Sequence, residues 1–254
     1  MPFWYEIFLS FLQGVTEFLP VSSSGHLALF QIFSKKFNEP PILFDLFLHL
    51  STLFAILFYY KKKIKSYFNF EKLSFLFFGT LGTGFVAFPL KAFAKKSFSS
   101  ILAISIFLII TGIILFFANK IKEKNDELNL IKAILIGIFQ GFAIFPGLSR
   151  SGVTISAGLF LGLKASTACE FSFILSIPSI LGANTIEFYK NFNPSNQVNL
   201  IGLIIPFFVT FITGLVFLNF TNKIFTKKKL IPFSYYCIII GVLMMGAYLY
   251  GKSI

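Results

Sequence analysis

Apolar residues dominate the chain in long runs, and polar positions gather between them. Six runs, roughly 42–60, 73–92, 99–118, 165–189, 199–221 and 232–250, have about the 20 residues needed to cross a hydrocarbon core ~30 Å thick. They predict six transmembrane helices. Two further apolar regions, 7–34 and 132–163, are interrupted in the middle by proline, glycine and serine. Proline stops a helix and serine caps the next one. Each region therefore predicts a re-entrant helix pair, which a membrane tolerates only where protein or a polar cavity covers the broken backbone.

The interruptions are written twice. Gln13-Gly14-Val15-Thr16-Glu17-Phe18-Leu19-Pro20-Val21-Ser22-Ser23-Ser24-Gly25-His26 recurs loosely as Gln140-Gly141-Phe142-Ala143-Ile144-Phe145-Pro146-Gly147-Leu148-Ser149-Arg150-Ser151-Gly152. With one re-entrant pair and three spans per half, approximately 1–120 and 130–254, the second half must start on the opposite face of the membrane. The expectation is an all-α polytopic membrane protein, one domain built as an inverted-topology repeat with a site near the midplane.

Lysines orient it. Lys61 to Lys72, Lys120 to Lys132 and Lys223 to Lys229 fall on one face, against Lys35, Lys36, Lys91, Lys95, Lys96, Lys190 and Lys252 on the other. The excess places the first face in the cytoplasm and both termini outside. Met1 to Trp4 carry no basic n-region, so no cleavable signal peptide is expected. Glu123, Asp126 and Glu127 read as a solvated loop. Glu187, near a span end, is expected to reach toward the interface.

At 56% hydrophobic and 13% charged, the composition excludes a soluble globule. The net charge of +12 comes from lysine clusters between apolar runs, which suits lipid headgroups and excludes nucleic acid as the partner. The 38 phenylalanines are lipid-facing bulk. Cys169 and Cys237 lie one in each half and show neither a disulfide framework nor metal-ligand spacing.

Arg150 is the only arginine in the chain and lies inside an apolar segment. A charge there costs about 2.5–3.5 kcal/mol on the translocon scale, so it needs either a buried carboxylate or a ligand. Ser149, Ser151 and Thr154 surround it at a helix restart, an anion-binding arrangement, and its planar fork suits phosphate. Glu17 is the matching group of the first break: neutralised by Arg150, or a general base, or a divalent-cation ligand. Ser22, Ser23 and Ser24 exceed what one cap needs, and any of them near a carboxylate or imidazole could act as nucleophile. His26 is either a carbonyl-bonded bystander or the acid for a leaving phosphate. Asp45 and His49, one turn apart, form a local pair or support the site from behind. Glu170 and Ser172 mirror that position in the second half. The breaks together would gather hydroxyls, backbone N–H groups and one guanidinium around a polyanion such as a diphosphate.

The stretches Gln-Gly-x-Thr-Glu-Phe-Leu-Pro-Val-Ser-Ser-Ser-Gly-His-Leu at 13–27 and Pro-Gly-x-Ser-Arg-Ser-Gly-x-Thr at 146–154 resemble the two signatures of the undecaprenyl-diphosphatase (bacitracin-resistance) family. The resemblance extends over length, span count and the Phe-Asp…His-Leu stretch at 44–50. It implies hydrolysis of undecaprenyl diphosphate to the monophosphate, outside the bacterial inner membrane and in support of cell-wall synthesis, with Mg²⁺ or Ca²⁺. It implies Glu17, Ser23, His26 and Arg150 as the catalytic set. Gln13, Ser22, Ser24, Ser149, Ser151 and Thr154 would line the phosphate site, with Glu17 toward metal and Asp45 and His49 behind. Position 13 is Gln where many members have a second Glu, so Glu17 stands as the one charged base or metal ligand. Two alternatives stay open: Ser23 or a water as the attacking group, and a transporter or flippase for an isoprenoid phosphate or another anion. A homodimer is compatible with either.

Overall fold

The computed structural model describes residues 3–34, 42–122, 124, 126–191 and 200–252. Eleven helices follow one another among these residues: α1 (Phe3–Thr16), α2 (Ser23–Phe33), α3 (Ile42–Tyr59), α4 (Lys61–Lys65), α5 (Phe70–Ser97), α6 (Ile101–Lys120), α7 (Leu130–Phe142), α8 (Arg150–Phe160), α9 (Ala165–Asn191), α10 (Leu200–Thr226) and α11 (Ile231–Lys252). Five of them, α5, α6, α9, α10 and α11, are long and apolar enough to cross a membrane. The described stretch of α3 that is apolar, Phe44–Tyr59, is shorter than a full span. The chain is thus an all-α, multi-pass membrane protein. Lys35, Lys36 and Glu123 lie outside the described residues.

Short polar caps set the helix starts. Asn69 accepts from Lys72 N, Ser100 from Ala103 N and Asn129 from Lys132 N, each side chain satisfying one free amide of a first turn. The faces that lack a protein neighbour keep large apolar side chains outside, Phe77, Phe85 and Phe88 among them, as a lipid solvent allows.

Inside, small residues let backbones meet. A Cβ on Gly137 would lie 2.0 Å from the Gly79 carbonyl oxygen, so α7 and α5 touch at their main chains. Gly14 brings α1 against α10 in the same way, where a Cβ would meet the Thr210 carbonyl at 2.8 Å. The largest apolar cluster joins α3, α9 and the C-terminal part of α10 around Phe18, Phe171, Phe173 and Phe225.

The basic loops collect at one end. Lys63 pairs with Glu170 at 3.1 Å, Lys228 donates to the Ile121 carbonyl, and Leu230 N bonds Asn119. Tyr67 sits there too, between α4 and α5; burial, together with the neighbouring Glu170 carboxylate, raises its phenol above the ordinary range. The loop before α7 is more than a solvated connection. Asp126 N donates to the Gly162 carbonyl, Asp126 bridges Leu163, and its carboxylate takes Lys132 at 3.0 Å. Glu187, expected to reach toward the interface, is partly exposed near the end of α9 and pairs with Lys91 of α5. Cys169 and Cys237 are free and buried.

Candidate active site

Both interrupted regions fold as helix, break, helix. In the first, α1 ends at Thr16 and Pro20 prevents its continuation before α2 begins at Ser23. Ser22 holds the turn with φ 69°, a left-handed conformation that costs a non-glycine residue of order 1–3 kcal/mol. Three contacts sustain it. The Ser22 hydroxyl accepts from Gly25 N at 3.3 Å and from Gly147 N at 3.0 Å, and the Ser22 carbonyl accepts from His26 Nδ1 at 2.8 Å. In the second region α7 ends at Phe142, and the left-handed position is Gly147, φ 102°. Ser149 caps α8, its hydroxyl accepting from Gly152 N at 3.1 Å.

The breaks cross and bind each other. Besides the Gly147–Ser22 bond, Ser151 donates to the Leu19 carbonyl at 3.3 Å. Thr111 of α6 clamps the second break from behind, donating to Gly147 O at 2.8 Å and accepting from Ser149 N at 3.1 Å.

This crossing puts the two lone charges together. Arg150 Nη2 donates to Glu17 Oε1 at 2.5 Å, with 16% of the arginine side chain and 7% of the glutamate side chain exposed. Ser23 donates to the other carboxylate oxygen, Oε2, at 2.7 Å. Gln13 Nε2, one turn before Glu17, donates to the same Oε2 at 3.1 Å and lies 3.2 Å from His49 Nδ1. An amide facing a carboxylate must present its N–H₂, so His49 Nδ1 is the acceptor and the ring proton is on Nε2. Two buried groups are left over, the Arg150 Nη1 donor and the Gln13 Oε1 acceptor. A free donor and a free acceptor beside a water-poor ion pair are what a protonated or metal-bridged phosphate could satisfy.

The residues expected at the site divide into two groups. Gln13, Glu17, Ser23, Arg150 and His49 form one connected set, and Ser22 and Ser24 follow directly, with their hydroxyls 3.4 Å apart. Ser149 and Ser151 join the crossing rather than line an open space, both being almost fully buried. Thr154, expected to turn its hydroxyl to the anion, instead donates to Arg150 O at 2.7 Å and meets Ser172 at 2.5 Å, bracing α8 against α9. His26 turns away from the pair: because Nδ1 faces a carbonyl it carries the proton, and Nε2 accepts from the Tyr236 hydroxyl at 2.8 Å. Asp45 and His49 are not a pair. The His49 ring turns to Gln13, and Asp45 hydrogen-bonds no described residue. Glu170 lies with Lys63, away from the site.

Tyr236, Thr111 and Gln140 were not anticipated. Tyr236 and Thr111 sit in unremarkable apolar spans, so no local pattern marks them. Gln140 was legible as the partner of Gln13 in the repeat. Its Nε2 donates to Thr83 at 3.0 Å and Ser179 at 2.8 Å, with Oε1 left over as in Gln13.

Residues 6–243 match the family described as bacitracin resistance protein BacA. The chain is 40% identical to undecaprenyl-diphosphatase of Thermosipho africanus, covering 94% of this chain and 97% of the relative. It is 38% identical to undecaprenyl-diphosphatase of Methanococcus maripaludis strain C6, over 92% and 96%. With undecaprenyl-diphosphatase of Treponema denticola it shares 37% identity over 99% of both. The chain belongs to the bacitracin resistance protein family.

Proposed function

We propose that this protein hydrolyses undecaprenyl diphosphate to undecaprenyl phosphate and inorganic phosphate, returning the lipid carrier to bacterial cell-wall synthesis and so opposing bacitracin. It is an integral membrane phosphatase acting on a phosphoric anhydride. The observation that carries the assignment is the Glu17–Arg150 pair with Ser23 on the carboxylate and a spare guanidinium N–H, in a chain aligned end to end with relatives of that name.

The resting pair suggests an exchange. An arriving diphosphate takes Arg150 by two N–H groups, a geometry suited to phosphate oxygens, and the Glu17 carboxylate is released from its cation. Glu17 then receives the proton of the attacking hydroxyl, either that of Ser23 or that of a water in its place. The oxygen attacks the terminal phosphorus, the bond to the bridging oxygen breaks, and undecaprenyl phosphate leaves. A seryl intermediate, if formed, is hydrolysed by water to inorganic phosphate. For His26 to protonate the leaving phosphate, its ring would first have to gain a second proton, on Nε2, and that N–H would exchange Tyr236 for a phosphate oxygen; in the resting site Nε2 is an acceptor and Nδ1 braces the Ser22 turn.

The donors suit Mg²⁺ or Ca²⁺ bound chiefly through the substrate. Magnesium sites commonly use one or two carboxylates plus phosphates, and here Glu17 and the free Gln13 Oε1 are available. Among the described residues, no three His, Cys, Asp or Glu side chains gather around a common point. Such an ion would offset part of the diphosphate charge.

We further propose six spans with two re-entrant pairs, related by an inverted repeat, in the bacterial inner membrane with the site facing the periplasm. Support comes from matched packing: α1 lies on α10 as α7 lies on α5. Between α6 and α11, a Cβ on Gly112 would meet the Ser234 carbonyl at 2.6 Å, and one on Gly241 the Ser105 carbonyl at 2.8 Å, with serine and glycine the same distance apart in sequence on both helices.

Purified protein in detergent, without any gradient, should release phosphate from undecaprenyl diphosphate, and chelator should suppress the release. No release from folded protein would leave a transporter or flippase as the reading.

A further inference from the structure

The first break is also held from the far end of the chain, by α11. Tyr236 donates its hydroxyl proton to His26 Nε2 at 2.8 Å. The next residue, Cys237, donates to the Pro20 carbonyl at 3.5 Å and packs on Leu19 and Val21. A half-exposed tyrosine in a membrane helix ordinarily gives its hydroxyl to water or headgroups. Tyr236, 41% exposed, gives it to an imidazole whose plane lies 9° from that of its own ring.

His26 therefore bridges α11 and the strained turn. Its Nδ1–H ends on the Ser22 carbonyl at 2.8 Å, beside the His26 backbone N–H at 3.2 Å. The later part of α2 is anchored by apolar packing: Leu27 belongs with Tyr5 and Leu9, and Ala28 and Leu29 with Ile104 and Leu108. Its first turn relies on polar bonds. Those of the Ser22 hydroxyl run to backbone amides, whereas the ring bond depends on a side chain with two torsions of its own. A ring fixed at one nitrogen can swing about that bond; fixed at both, it cannot. Ser23 follows directly and donates to Glu17 Oε2 at 2.7 Å, so rotation of the Ser22 peptide moves the hydroxyl that faces the base.

We propose that Tyr236 is a positioning residue for the phosphatase reaction. It pins His26, His26 holds the left-handed Ser22 turn, and the turn aims Ser23, or the water in its place, at Glu17. This rests on the phosphatase reading above. Arg150, which would hold the phosphate, lies outside this chain of contacts, so losing the tyrosine hydroxyl lowers kcat and spares KM.

Tyr236→Phe, which removes one oxygen and keeps the ring, should lower kcat for undecaprenyl diphosphate about tenfold, since a misplacement of about 1 Å can cost up to about 10²-fold. KM should stay within about twofold. Cys237→Ala, which removes the neighbouring bond to the same break, should leave kcat within about twofold. Added to His26→Phe, Tyr236→Phe should change kcat less than about twofold, because its effect passes through the ring. The chain has two histidines. In nitrogen NMR of isotopically labelled histidine, with His49→Gln to assign the signals, Tyr236→Phe should move the His26 Nε2 signal toward that of an unbonded ring nitrogen. An unchanged kcat, a raised KM without loss of kcat, an unmoved His26 signal, an equal loss in the His26→Phe background, or an equal loss from Cys237→Ala would each overturn the role. Phosphate release by the wild type is scored first: none would remove the phosphatase reading, whereas release that Tyr236→Phe leaves intact would remove this role alone.

Discussion

The two breaks share a trace and differ in chemistry. Each runs from a Gln-Gly helix end through proline to a serine-capped helix, yet the first carries Glu17 and the second Arg150. The fourth residue after the glutamine is Glu17 in one and Ile144 in the other. The residue after the capping serine is Ser23 in one and Arg150 in the other. Their left-handed positions also differ, a strained Ser22 against a relaxed Gly147. Two similar stretches of sequence thus supply similar turns, and single differences divide acid from base between them.

The sharpest way to break this division is to remove its cation. Arg150→Ala should lower phosphate release about 10³-fold, the upper part of the cost of one transition-state donor. It should also destabilise the protein, because removing one partner of a buried ion pair costs about 3–5 kcal/mol. Glu17→Gln combined with Arg150→Ala should recover much of that stability and none of the activity, as read by thermal unfolding in detergent beside phosphate release.

The turns come next. Gly147→Ala should cost about 2–3 kcal/mol, since its φ is unsuited to a side chain and the new Cβ would lie 2.5 Å from the Ile104 carbonyl. Ser22→Gly, which relieves strain while losing a cap, should stay within about 1 kcal/mol. Equal losses at both positions would mean that the two turns are not built as described.

The glutamines give the smallest contrast. Gln13→Ala should reduce turnover about tenfold, as loss of a group orienting a catalytic carboxylate does. Gln140→Ala should leave turnover within about twofold and cost about 1 kcal/mol for two lost hydrogen bonds and one removed orphan. Matched kinetic losses would make Gln140 part of the site.

Much of this was legible from local chemistry. Proline and serine positions locate the breaks, apolar run lengths locate the long helices, and a lone arginine inside hydrocarbon demands the lone carboxylate of the other break. What escaped depends on helix rotation, which spacing alone does not settle. Asp45 and His49 share a face by periodicity, yet the rotation of α3 turns His49 to Gln13. His26 finds Tyr236, 210 residues away, and Thr154 finds Ser172 on α9. The Asp126 contacts escaped because a polar loop carries no sign of docking onto a distant turn.

The ion pair has a consequence for biosynthesis. Glu17 and Arg150 are 133 residues apart, so at 5–20 residues per second roughly 7–27 seconds pass between their emergence from the ribosome. Throughout that wait the first hairpin has no guanidinium to receive it, and an unpartnered carboxylate is expelled from hydrocarbon. The N-terminal hairpin must therefore linger near the membrane surface or insert as the neutral acid. Final docking of the two breaks is then a late event, triggered by the arrival of one residue.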